Sequence, residues 1–242
     1  MTRRGLPVST LLAVAFLAAG CGGGGGGGGD SSTSKPSGEA AKPATQVVHD
    51  AAKAAKAASS VRMSGQIAEP GRTVGLDLSF IRGKGATGTF TLGGTPVDLV
   101  LLGSHAYLRA GPAFWKQFSQ AKGVGQLLAG KWLKFEANDA QLGGLMSLAS
   151  DKALFDKLNT HHGKLVNRGA TTYKGQSVVA IYDTREKGTL YVSASGTPYP
   201  VALVKTKGRT GTVAFDNWNQ PVKLTAPKGA LDIAKLHSGS RT

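Results

Sequence analysis

Only a few residue patterns in this chain have the types and spacing that chemistry needs. Gly83-Lys84-Gly85-Ala86-Thr87-Gly88 fits the spacing of a dinucleotide loop, but it lies between two strand-like stretches and opens no helix. Ser119-Gln120-Ala121-Lys122 has the Ser and Lys of a serine acyl-transfer motif, without the S-D-N or K-T-G partners that would assemble its site. His161 and His162 are adjacent, so on a strand they would point apart, and no Cys cluster or H-E-x-x-H pattern joins them as a metal site. No G-x-S-x-G elbow and no carboxylate pair suited to acid–base work stands out. Trp115, Trp132 and Trp218 have the ring type that grips sugars, although core and rim positions account for them more simply. The sequence therefore predicts no enzyme, no cofactor and no metal. What remains is Cys21, the only cysteine of the 242 residues.

The residues around Cys21 position it for modification rather than catalysis. Arg3 and Arg4 form a basic head, residues 11–19 are apolar, and Leu17-Ala18-Ala19-Gly20 supplies small residues before the cysteine. The apolar run is too short for a membrane-spanning helix, which needs ~20 residues. The segment resembles a bacterial lipobox, which implies a diacylglyceryl thioether on Cys21 and cleavage before it. Residues 1–20 are then a signal peptide. Residues 21–43 hold eight glycines in a row and then mostly Ser, Thr, Lys, Pro and Ala, with almost nothing to bury. They read as a flexible tether to the extracytoplasmic face of a cell membrane.

Residues 44–242 are left for a single domain, with the end beyond 236 outside the pattern. Without a second cysteine there is no disulfide, so burial must stabilise it. The formal charge of +15 becomes +13 once Arg3 and Arg4 leave with the leader. Inside a cell that excess would suggest nucleic acid. On an exported chain with cations scattered along the sequence, it suggests solubility and attraction to an anionic envelope surface.

Hydrophobic periodicity then orders the elements. Residues 45–59 read as a helix with Val48, Ala51, Ala52, Ala55 and Ala58 on one face. Val74, Leu76, Leu78 and Phe80 alternate as in a half-buried strand, and Phe90 and Leu92 continue the pattern. Residues 97–102 read as a strand covered on both faces, with 105–110 as its hairpin partner. The middle changes character: a short helix over 112–121, a strand over 131–135, and two helical pieces over 139–159 that suit a cover over a sheet. Strands return over 165–173, 177–184, 189–194, 201–206 and 212–215. Helix, strands, helical insert, strands describes an α+β fold with one large antiparallel sheet and helices on one face.

Several stretches carry a family likeness. They are Val61-Arg62-Met63-Ser64-Gly65 after the first helix, residues 169–175, Thr197-Pro198-Tyr199-Pro200, and the Pro-rich ending from Phe215 to Pro227, read as a closing strand. With the lipobox and the strand order, the chain resembles the LolA-like half-barrel lipoproteins of the LppX/LprG type. The resemblance implies a curved sheet whose concave face is covered by helices around an apolar cavity for acyl chains. The inward candidates are Leu76, Leu78, Phe80, Phe90, Leu92, Leu99, Leu101, Phe118, Trp132, Leu145, Leu148, Val179, Ile181, Leu190, Val192, Val201, Leu203, Val213 and Phe215. The expected function is a monomeric, non-enzymatic carrier or sensor of a lipid or glycolipid, moored to the membrane through Cys21. The alternative is an interaction module of the same fold with a packed core.

Overall fold

The computed structural model describes residues 37–69, 71–117, 123–139, 163–208 and 210–233. These belong to one compact unit, Lys35–Thr242, separate from Met1–Ser34. Cys21, the glycine run, the Ser119–Lys122 motif, the two adjacent histidines and most of the 139–159 helical reading lie outside the described residues.

A 3-10 turn, Gly38–Ala41, precedes helix α1, Ala44–Ala57. Val47, Val48, Ala51, Ala52 and Ala55 are buried, so the helix presents a shallow face that can approach a sheet closely. Its last carbonyls are satisfied by Arg82, whose guanidinium donates to the oxygens of Ala58 at 2.7 Å and Ala55 at 2.8 Å. Near its start, the Lys42 ammonium bridges Glu39 and Asp50, each at 2.6 Å. That bridge, with Gln46 adding a further bond, holds the Asp50 carboxyl below the usual carboxylate range.

Twelve strands follow in one sheet among the described residues. They are β1 Ser60–Glu69, β2 Arg72–Ile81, β3 Gly85–Leu92, β4 Thr95–Leu102, β5 His105–Ala110, β6 Trp132–Glu136, β7 Leu165–Tyr173, β8 Gln176–Asp183, β9 Gly188–Ser193, β10 Pro200–Lys205, β11 Gly211–Asp216 and β12 Leu231–Asp232. The order across the sheet is β12-β6-β5-β4-β3-β2-β1-β11-β10-β9-β8-β7. Two meanders, β1–β6 and β7–β11, are joined where β1 pairs antiparallel with β11. Every pairing is antiparallel except β12 on β6. Helices α2, Pro112–Trp115, and α3, Val124–Leu128, precede β6.

The sheet is curved, unclosed and α+β in class. Gly65 in β1 and Gly88 in β3 have φ of 153° and 146°, extended backbone open to glycine alone. A Cβ would fall 1.9 Å from the Thr212 oxygen at Gly65 and 2.1 Å from the Asp77 oxygen at Gly88. Such glycines bend a strand where side chains would hold it straight.

The β signal that begins after Ser60 is β1, a central strand whose Gly65 interrupts the apolar alternation. One expectation changes here. The Pro-rich ending is no closing strand: after Asp216 the chain turns through Asn217 and Asn219, both at positive φ, and runs irregularly to β12.

Candidate functional site

Register assigns each strand residue to a face. One face carries Val61, Met63, Leu76, Leu78, Phe80, Phe90, Leu99, Leu108, Leu133, Val213 and Phe215, and these join the buried residues of α1 with Phe114 and Trp115 in one apolar cluster. This is the inner face. α1 lies against β7, β8 and β10, and α2 lies against β4.

Adjacent inner rows differ in how completely they are covered. Leu133, Leu108, Leu99, Gly88, Leu78, Met63 and Phe215 run side by side across seven strands. Each apolar side chain in that row is 4 % exposed or less. The middle of the next row runs Leu76, Gly65, Val213, Leu203 and Leu190 across β2, β1, β11, β10 and β9, between fully buried ends at Phe90 and Ile181. Leu76, Val213 and Leu190 retain 7–8 % exposure, and Leu203 is half-buried. Beyond it, Leu92 and Ile67 are also half-buried. Gly65 contributes no side chain between Leu76 and Val213 of this half-open stretch.

Fourteen of the sequence candidates lie on the inner face: Leu76, Leu78, Phe80, Phe90, Leu92, Leu99, Leu101, Val179, Ile181, Leu190, Val192, Leu203, Val213 and Phe215. Trp132 does not. It pairs with Arg109 on the outer face, its ring 4.9 Å beneath that guanidinium. Val201 falls at the irregularity between Pro200 and Ala202, where register shifts. Phe118, Leu145 and Leu148 lie outside the described residues.

Other inward residues stand outside the cavity candidates, among them Trp115, which takes the core position its type suggested. Phe114 and Trp115 are buried on α2, the Trp115 indole donating to the Ala110 carbonyl at 3.2 Å. Asp183 is a buried inward carboxylate at the end of β8, where none was expected. Its Oδ1 accepts the backbone N–H groups of Gly163, Arg185 and Glu186 at 3.1, 2.8 and 3.1 Å. Three donors make such a carboxylate tolerable at the edge of an apolar face. Asn167 also points inward and donates to the carbonyls of Ala40 and Lys42, tying the start of the domain to β7.

The outer face is polar by contrast. Arg62 bridges Asp77 at 2.7 Å and Asp216 at 3.4 Å, and Arg109 pairs with Asp98 at 2.7 Å. Tyr173 stacks on Tyr191 with centroids 4.6 Å apart, which lays the tip of the β7–β8 hairpin over this face. A groove of about 450 Å³ opens beneath it, lined by Ser64, Gln66, Thr212, Ala214 and Lys174. No grouping of three or more potential metal ligands occurs among the described residues. No described helix is long and apolar enough to cross a membrane.

This bent sheet with an apolar inner face and helices laid into it is the LolA-like half-barrel fold of LppX/LprG-type lipoproteins. Among solved structures, the chain is similar to LprF from Mycobacterium bovis, at 17 % identity and a TM-score of 0.52, over 77 % of this chain and 97 % of that one. It also aligns with the Mycobacterium tuberculosis lipoprotein LppX at 15 % identity and a TM-score of 0.49, over 75 % and 98 % of the two chains. The likeness to LprF carries the fold assignment. No family model and no curated protein sequence matches the chain.

Proposed function

We propose that the domain holds acyl chains of a lipid or glycolipid against the half-open row, for carriage or sensing at the outer face of a cell membrane. The observation that carries this reading is the stretch Leu76–Gly65–Val213–Leu203–Leu190, apolar across five strands and less completely covered than the sealed row beside it. Burying acyl methylenes there is favourable by ~0.8 kcal/mol each, so two chains would gain well beyond the cost of ordering a cover. Acylated Cys21 moors the protein, and two or more chains make such mooring stable. No catalytic step is needed, and the ligand leaves unchanged.

The test is solvent extraction of the purified chain from residue 21 onward, carrying Cys21→Ser so that no covalent lipid contributes. Co-purifying lipid identified by mass spectrometry is the expected result, and lipid-free protein from several expression hosts would refute it. A second reading draws on the filled row: with Leu78, Leu99 and Leu108 at 1 % exposure or less, the same fold can act as a solid interaction module working through its surface.

A further inference from the structure

Three adjacent segments at one corner of the sheet gather cations that are far apart in sequence. Lys164 leads into β7, residues 184–187 join β8 to β9, and Lys207 lies in the loop after β10. Backbone bonds hold them together: the Thr184 N–H donates to the Lys164 carbonyl at 3.1 Å, and the Thr206 N–H to that of Lys187 at 3.5 Å. Lys164, Arg185, Lys187 and Lys207 are exposed. None of the four pairs with a carboxylate among the described residues. The two acids of the corner are already engaged. Asp183 is buried with its Oδ1 taken by three backbone donors. Glu186 pairs with a fifth cation, Lys205, at 2.5 Å. The turn that presents the cations is thus fixed in place by a carboxylate that forms no ion pair with any of the four among the described residues.

We infer that this corner is a docking surface for an anionic bilayer, the polyanion within reach of the tether. Gly38, beside Ala194 with its would-be Cβ 3.8 Å from that carbonyl, marks where the chain joins the sheet. From there the corner lies about 20 Å along β9, given ~3.3 Å per residue. A random coil of ~16 residues, the number between Cys21 and Ser37, would have a root-mean-square span of ~22 Å within a contour of ~50 Å. The tether is long enough for the domain to turn its corner onto the membrane. The corner also sits at the ends of β8 to β10, where Leu190 and Leu203 of the half-open row lie, so docking would bring that row toward the lipid source. The inference rests on the moored-carrier reading only for the identity of the surface within reach.

The test is vesicle co-sedimentation of the chain from residue 21, carrying Cys21→Ser, on phosphatidylglycerol-rich and pure phosphatidylcholine vesicles. Each cation near an anionic surface contributes about fivefold in partition. The variant Lys164→Gln/Arg185→Gln/Lys187→Gln/Lys207→Gln should therefore lose at least about fiftyfold on anionic vesicles. Lys53→Gln/Lys84→Gln/Lys223→Gln/Lys228→Gln, which removes the same charge elsewhere, should lose less than about threefold. Equal losses would overturn the proposal, because net charge alone would then explain binding. So would equal binding to phosphatidylcholine, or corner-dependent capture on polyphosphate beads without capture by vesicles. Lipid extraction of the same two variants reads the carrier function separately, since neither alters the inner face.

Discussion

The two inner rows lie one pleat apart where they share β2, β1 and β11, yet their environments differ. The row from Leu133 to Phe215 is sealed, with leucines on four strands meeting the cluster that includes Phe114 and Trp115. Each row contains one glycine, Gly88 in the sealed row and Gly65 in the other, but only the stretch from Leu76 to Leu190 has a half-buried member, Leu203 beside Val213. A half-barrel therefore need not be uniformly hollow or uniformly solid. One layer can act as the structural core while the next accepts a guest, and mutations should tell the two apart.

The largest contrast is expected from shortening a leucine in each row. Leu99→Ala should cost about 3 kcal/mol in denaturant unfolding, as a cavity in a filled core does. Leu203→Ala should cost less than half of that, because its site is already incompletely covered. Equal costs would erase the distinction between the rows. Gly65→Ala should come next, at about 2 kcal/mol, since its φ of 153° is strained for alanine and the new Cβ would meet the Thr212 oxygen. Retained stability there would show that the bend is not needed. Leu203→Trp should change unfolding by under about 1 kcal/mol while clearly lowering co-purified lipid. If stability and lipid fell together, the half-open row would be core like its neighbour.

The smallest effect concerns a contact remote from both rows. Asp50 has its carboxyl lowered by the hydrogen bond from Lys42, so the folded state binds its proton less readily than the unfolded chain. The contribution is present above the ordinary carboxylate range and is lost as pH falls through the lowered value. Asp50→Asn should therefore flatten the acid limb of Tm against pH, leaving the lipid content unchanged. An unaltered limb would mean that the Lys42 bridge does not stabilise the start of α1.

Much of this was legible in the sequence because strand alternation is local. Leu76, Leu78 and Phe80 declare their face by spacing, and α1 declares its own through Val48, Ala51 and Ala55. Trp132 misled because size and apolarity say nothing about which side of a short strand faces inward. Only pairing with Arg109 puts it outside. β1 was legible only as the place where the β signal begins after Ser60, since Gly65 at the bend breaks the pattern that would advertise a central strand. Asp183 was unforeseen as an inward group because its three donors come from the chain's return at 163 and 185–186. The corner of cations was equally hidden: Lys164 and Lys207 look scattered until β7 and β10 are set beside the turn between β8 and β9.

Photocrosslinking with a phospholipid carrying a photoactivatable acyl chain tests the central claim most directly. Peptide mapping should place the adducts on Leu76, Val213, Leu203 and Leu190, with few on the sealed row around Leu99 and Leu108. Adducts confined to the outer face, around Trp132 or Tyr191, or none at all on the inner sheet, would contradict it.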